Sequence, residues 1–331
     1  MWTMKSANIS RRAALALGFS GAAALALAGC DGNQPSDGDA TDAADGTGDG
    51  GGETAEPVAI DTAAFDALVS SGPAADDAAI SASEWAAKVK AAGTLRIGST
   101  QTSQLFSLLN EVDGHVRGFD AGLYQLLAGY ILGDSNAYEI TLVQSSTRES
   151  VLQSDQVDAV FATYSITPSR QEVISFAGPY FTAHQGILVS ASNTDINGVE
   201  DLAGKIVGVQ EGSTGRALLE EFAPEAEVQE IGTDEELRRA LEQGRIDAYV
   251  VDISLHLGSM VANPGKYRLA GEFGPDDNYG IGLPLNSDGV DFVNEFLNKI
   301  IADGTWAELW KVCIGARTGI TEVPEPPVVG V

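Results

Sequence analysis

Histidine and cysteine are scarce in this chain of 331 residues, which holds three of the first and two of the second. So few leave no room for a Cys/His zinc cluster or a disulfide scaffold. Basic residues are also short: 19 Lys and Arg stand against 47 Asp and Glu, a formal charge of −28. Such a chain repels phosphate backbones and anionic lipid headgroups, which removes nucleic acid and polybasic membrane attachment from its partners. What is present is a hydrophobic fraction of 44%. That is ample for a core and incompatible with wholesale disorder, in a length that allows roughly two domains.

Lys5, Arg11 and Arg12 precede Ala13–Ala28, an uncharged Ala/Leu-rich stretch. The stretch falls short of the roughly 20 residues needed to span a bilayer, and its charged-then-apolar order is that of an export signal over residues 1–29. Leu27-Ala28-Gly29-Cys30 resembles the lipobox of bacterial lipoproteins, in which the cysteine is acylated and becomes the first residue. Ser10-Arg11-Arg12 resembles a twin-arginine signal with a weak second half, so either export route stays open. Residues 30–60 carry Asp31, Asp37, Asp39, Asp42, Asp45, Asp49, Glu53 and Glu56 with no Lys or Arg, and little that could pack. They read as a flexible, self-repelling tether. Apolar spacing turns helical over Asp61–Val69 and Ser83–Ala92, with Ser83 suited to a helix start and Gly93 to its end, which predicts an N-terminal helical extension over 61–93.

From Thr94 onward, short β-branched runs alternate with helical spacings. Strands are predicted at Leu95–Ser99, Tyr138–Val143 and Val157–Thr163, with an amphipathic helix over Asp120–Leu132 and another over Arg148–Gln153. After a β run at His184–Ser190 the series restarts: strands at Lys205–Gln210, Ala226–Ile231 and Ala248–Asp252, helices at Thr214–Phe222 and Asp234–Gln243. Alternation of this kind implies mainly parallel α/β sheets, and two series in tandem imply two lobes with a crevice at the strands' carboxyl ends.

Six segments then occur in one order: Gly118-Phe119-Asp120; Ala162 to Arg170 (ATYSITPSR); Phe176 to Phe181 (FAGPYF); Asp201 to Thr214 (DLAGKIVGVQEGST); Asp247 to Asp252 (DAYVVD); and Tyr279 to Pro284 (YGIGLP). Together they resemble the polar amino-acid solute-binding proteins of ABC importers (family 3), above all actinobacterial glutamate-binding lipoproteins. The resemblance implies a two-lobed periplasmic-binding-protein type II fold with two crossover strands as a hinge, around His184–Leu188 and Tyr279–Leu283. Lobe 1 would comprise 94–184 and 280–320, lobe 2 would be the insertion 185–279, and 321–331 would be a loose tail. It further implies a monomer that binds a free amino acid and meets permease subunits, with no cofactor and no metal.

A free amino acid offers an α-carboxylate, an α-ammonium and a side chain, and a closing site must meet each charge with a fixed partner. Arg170 follows a strand end and has the fork geometry for a carboxylate; its bland alternative is a surface pair with Glu172. Thr163 and Ser165 share that turn, which the resemblance assigns to both carboxylate and ammonium. Gly212 relaxes the turn before a helix, so free N–H groups at Ser213 and Thr214 would meet an anion, with Gln210 beside them. Asp252 ends an apolar strand, where a carboxylate needs a cation; capping the next helix is its alternative. By resemblance, Arg148 would face a distal carboxylate assisted by Ser145, which points to glutamate or aspartate; pairing with Glu149 or Asp155 is its structural alternative. The loop Ser99–Phe106 lacks the lysine usual in glutamate-binding relatives. Gln101 and Phe106 are further ligand candidates there, and asparagine or glutamine stays open. His115, His184 and His256 are scattered, with solvated or hinge roles; Cys313 reads as buried filler, and Trp306 and Trp310 as packing on lobe 1. Two other uses of such a fold remain: a sensor signalling to a membrane partner, and a cyclohexadienyl or arogenate dehydratase, although no general acid or base stands out.

Overall fold

The computed structural model describes residues 57–330; the export signal, Cys30 and the tether up to residue 56 lie outside the described residues. Three helices come first: α1 (Thr62–Ser70), α2 (Asp77–Ala82) and α3 (Glu84–Ala92). Asp61, Asp76 and Ser83 each accept a first-turn N–H, and Gly93 closes α3 at a φ of 72°. β1 (Leu95–Ser99) leads into a small sheet of β2 (Thr102–Ser103), β3 (Ser107–Leu109) and β4 (Val116–Arg117), then α4 (Phe119–Leu132). Next come β5 (Tyr138–Leu142), α5 (Arg148–Gln153), β6 (Ala159–Phe161), α6 (Pro168–Gln171) and the long β7 (Ser175–Ser190). The second series is β8 (Ile206–Gln210), α7 (Gly215–Phe222), β9 (Glu227–Ile231), α8 (Asp234–Glu242), β10 (Ala248–Asp252) and α9 (Ile253–Ala262). A second long strand, β11 (Tyr267–Leu283), returns to α10 (Gly289–Ala302) and α11 (Thr305–Trp310).

The larger strands form an 8-stranded sheet in the order β5-β1-β6-β11-β7-β10-β8-β9. β1 pairs parallel with β5 and β6, and β8 pairs parallel with β9 and β10. Alternate residues of the central strands enter different cores. Ala159 and Phe161 join the aromatic-rich cluster of the first lobe while Val160 faces a second one; in the other lobe Ala248 and Val250 part from Tyr249 and Val251 in the same way. Each lobe is therefore a sheet covered on both faces, the burial that mainly parallel strands require.

β7 and β11 run antiparallel through both lobes, and their register locates the crossing. Tyr267 to Phe273 pair with Ser190 to Gln185 in lobe 2, and Asp277 to Leu283 pair with Ala183 to Ser175 in lobe 1. The break lies at Gly274–Asp276, opposite His184. The expected hinge at Tyr279–Leu283 is thus displaced: those residues belong to the lobe 1 sheet, where Gly282 also pairs with Val160.

Two other expectations change. Helix α4 is buried nearly all round rather than amphipathic, because the N-terminal extension covers the face that would otherwise meet water. Phe65, Val69, Trp85 and Val89 join the same core as Leu123, Tyr124 and Leu127, and Arg117, itself buried, holds Asp66 of α1 at 2.7 Å. The tail is not loose. Val323 and Val329 pack on that core, and the Gly330 N–H donates to the Gly178 carbonyl at 2.8 Å. Trp306, Trp310 and Cys313 are buried in it as expected.

Trp85 pins the extension. Its indole N–H donates to the Asp158 carbonyl at 3.0 Å, its ring stacks obliquely on Phe292, and the Asp288 carboxylate accepts the N–H groups of Glu84 and Trp85. Trp85→Ala should lower stability by about 3–5 kcal/mol in urea unfolding; a loss under about 1 kcal/mol would mean the extension only decorates lobe 1.

Candidate functional site

Arg148 opens α5 after a 3-10 turn at Ser145–Thr147 that carries a reciprocal cap between Gln144 and Thr147. Its guanidinium is buried (3% exposed). It donates to the Ser145 carbonyl at 3.2 Å, Ala162 at 3.0 Å, Thr163 at 3.4 Å and Gly212 at 3.5 Å. Its Cζ also lies 4.1 Å from the centre of the Tyr164 ring. Burial, and then the neighbouring Arg170, push its pKa down to about 10. Asp155, a possible mate in the sequence, is taken by Lys88 and Arg96.

Arg170 lies in α6, whose first turn Thr167 caps. It donates to the Ser165 carbonyl at 2.8 Å and the Gly212 carbonyl at 2.9 Å, and its Cζ lies 5.1 Å from the same Tyr164 ring. Its acid is Glu149 at 3.4 Å, not Glu172. Two guanidiniums of lobe 1 thus converge on one carbonyl oxygen of lobe 2. That oxygen occupies a place suited to an anion, since both donors are charged and, Glu149 beside Arg170 apart, their other partners are neutral carbonyls.

Gly212 makes the approach possible. Its φ is +74°, and a Cβ there would meet Ser146 Cα at 2.7 Å. Ser213 does not act as expected: its N–H already donates to the Gln210 carbonyl at 3.0 Å, and its hydroxyl accepts the Gly215 N–H at 3.3 Å. The left-handed turn at Gly212 thus aims a carbonyl, not the Ser213 amide, at lobe 1. Thr214 does reach the site through its side chain.

Thr163 has a positive φ of 43°, a conformation a β-branched residue holds only under constraint. The constraint is Asp120 of α4, whose carboxylate accepts the Thr163 N–H at 2.8 Å and the Tyr180 hydroxyl at 2.7 Å. Burial raises Asp120 to about 7, against the pull of those two donors.

The opposite pole is acidic. Asp252 ends β10 fully enclosed, and its carboxylate does not cap α9. It accepts from the Gln185 side-chain amide and from the Tyr279 hydroxyl, the latter at 2.6 Å. Asp277, on β11, accepts from Ser165 of lobe 1 at 2.9 Å and from Thr214 of lobe 2 at 3.4 Å. Burial raises both carboxyls, and for Asp252 the neighbouring Asp277 adds to it. Two neighbouring acids, one enclosed and one half-buried, favour sharing a proton until a cation joins them.

A cleft of about 650 Å³ opens beside these groups, lined in part by Gln101, Ser145, Thr163 and Gln210. Arg148, Ser165, Arg170, Ser213, Thr214 and Asp252 do not line it but lie behind its wall, where the two lobes already touch. Phe106 is absent for another reason: it is 1% exposed and packs edge-on against Phe119, Phe181 and Tyr279. Sequence reasoning missed Gln185, Asp277, the carbonyl role of Gly212 and the clamping role of Asp120. Among the described residues no cluster of His, Cys, Asp and Glu could hold a metal. His256, expected in a solvated or hinge role, is fully enclosed beside the Gly186 carbonyl of β7 at 3.1 Å, and burial pushes it down to about 3.

Gly212→Val should hold the two lobes apart, since its Cβ would need the space of the Ser146 backbone. Small-angle scattering should give a larger radius of gyration with an unchanged far-ultraviolet spectrum; an unchanged radius would mean that the turn yields without opening the cleft.

Residues 95–315 match the family model of the bacterial extracellular solute-binding proteins, family 3. The chain is 30% identical to the glutamate-binding protein GluB of Corynebacterium glutamicum, over 71% of this chain and 83% of that one. It is 33% identical to the ABC transporter glutamine-binding protein GlnH of Bacillus subtilis, over 68% of this chain and 82% of that one. The crystal structure of a cysteine-binding protein from Campylobacter jejuni superimposes with a TM-score of 0.67 at 25% identity, covering 72% of this chain and 95% of that one; like it, this chain has a periplasmic-binding-protein type II fold. No helix among the described residues is long and apolar enough to cross a membrane. With two thirds of its length on the family pattern and a charged cleft between two lobes, the chain belongs to the bacterial extracellular solute-binding proteins of family 3.

Proposed function

We propose that this protein captures a dicarboxylic amino acid, glutamate or aspartate, outside the cytoplasm and hands it to an ABC importer, with glutamine and asparagine bound more weakly. The observation that carries this reading is the pair Arg148 and Arg170. Two buried guanidiniums side by side, with Glu149 as their sole ion-pair partner among the described residues, leave positive charge that anionic oxygens would neutralise. One carboxylate answers Arg170; a second, at the ligand's far end, answers Arg148; the ammonium goes to Asp252 and Asp277. A neutral side chain would leave the Arg148 charge without an anion, and selectivity comes from that penalty. The relative GluB, a glutamate-binding protein, favours the dicarboxylates, and GlnH, a glutamine-binding protein, favours the amides placed second. Closure follows from differential affinity, because the ligand bridges groups on both lobes only when they meet. Anchoring through acylated Cys30 rests on the Leu27–Cys30 motif alone.

Calorimetry against the twenty amino acids tests the reading, with glutamate or aspartate expected tightest; a preference for arginine or histidine would sink it. Arg170→Met should abolish binding of every ligand. Arg148→Met should weaken the dicarboxylates by about a hundredfold, some 3 kcal/mol, and leave the amides within about tenfold. Equal losses for both classes would refute the division of labour.

Binding should also release a proton. Both carboxyls are raised, so the empty pair retains a proton near neutrality, and an ammonium between them favours the doubly ionised state. The binding heat at neutral pH should therefore vary with the buffer's ionisation enthalpy in the sense of release. Affinity should rise with pH until the pair's elevated pKa is passed, then level off. A buffer-independent heat would show the pair already ionised.

A further inference from the structure

The hinge strands carry two polar side chains, Gln185 and Asp277, that share the Thr214 hydroxyl as a partner. Gln185 lies on β7 opposite Phe273, the last lobe 2 pairing, and Asp277 lies on β11 opposite Ala183, the first lobe 1 pairing. Gln185 is 1% exposed, and its amide N–H group donates to both Asp252 and the Thr214 hydroxyl, the latter at 3.3 Å. Those bonds orient the amide. Its oxygen, Oε1, is enclosed and has no donor among the described residues. A buried carbonyl oxygen without a donor is unfavourable by about 1–3 kcal/mol, so such a group signals a partner that arrives from outside.

Asp277 is tied in the same way to both sides, to Ser165 of lobe 1 and Thr214 of lobe 2. With Asp252 at the end of β10, three acceptors stand together on three separate elements, two of them at the crossing itself. A primary ammonium has three N–H donors and no acceptor, which matches this set in number and in sign.

We propose that the hinge itself reads the ligand's ammonium: Gln185 Oε1 and the Asp277 carboxylate, one on each crossing strand, complete with Asp252 a three-acceptor cage for a primary amine. This rests on the amino-acid reading above and narrows it. A secondary amine, as in proline or an N-methylated amino acid, offers one donor fewer and leaves one acceptor unmet. The cage thus selects primary α-amines by the same penalty that Arg148 imposes at the other end. It also couples binding to closure, since the ammonium fixes both strands at the point where they must bend.

The test begins with a crystal structure of the wild-type chain loaded with its tightest-binding amino acid. The ammonium nitrogen should lie within about 3.2 Å of Gln185 Oε1 and of an Asp277 oxygen. An ammonium held by Asp252 without those two would overturn the cage while leaving the amino-acid reading intact. A wild-type protein that binds no amino acid would overturn that reading first, before any substitution is made. Gln185→Leu, close in volume, and Asp277→Asn should each weaken the amino acid at least tenfold. Each should also shrink the preference over its N-methyl derivative, measured by competition. Unchanged affinity in both variants, or equal losses for the two ligands, would assign Gln185 and Asp277 a structural role only.

Discussion

The Gly212 carbonyl oxygen, held by two guanidiniums across the cleft, is the contact on which the rest of the structure depends. Two desolvated cations on one lobe are costly: burial, and then repulsion from Arg170, lower the pKa of Arg148. They stay in place because each is held by lobe 1 carbonyls and flanks the Tyr164 ring. The other lobe need only present an oxygen with negative character to close on them. A peptide carbonyl does so weakly, and a carboxylate does so with a full charge. The architecture behind this contact exists to hold the 162–170 turn and the 210–214 turn at the right separation.

That purpose explains local features that would otherwise be liabilities. Thr163 takes an unfavourable φ because Asp120, buried in α4, grips its N–H. The grip turns the Ala162 and Thr163 carbonyls towards Arg148. Helix α4 can carry a buried acid because the Thr163 N–H and the Tyr180 hydroxyl satisfy it, and the helix is packed on every side because the N-terminal extension covers it. The strain at the site and the extra helices outside the family pattern are thus linked through one helix.

How much of this the sequence discloses depends on whether a residue's role is local. Arg148, Arg170 and Asp252 follow strand ends within strong alternating patterns, so their inward placement can be read from neighbours. Asp277 sits in Gly274-Pro275-Asp276-Asp277-Asn278, a run that reads as a solvated turn; only the register of β11 against β7 turns it inward. Gln185 is a neutral amide in a strand and carries no signal of its own. A glycine turn before a helix usually offers N–H groups, as expected of Ser213, whereas here the positive φ of Gly212 turns the carbonyl towards Arg148 and Arg170. Phe106 looked like a ligand contact from its loop, but loop polarity says nothing about a ring that buries itself. The amphipathic reading of α4 failed because the covering helices lie outside the alternating body.

The chain enters the described residues on lobe 1. The Val58 carbonyl accepts from Arg317 at 3.0 Å, and Arg317 also binds the Gln104 carbonyl in the loop that borders the cleft. A pull on the chain at that point therefore acts on one half of the clamshell only. If the cysteine at position 30 is fastened to a surface, lobe 1 is the stator and lobe 2 the rotor. Lobe 2 then turns with no load from the attachment point.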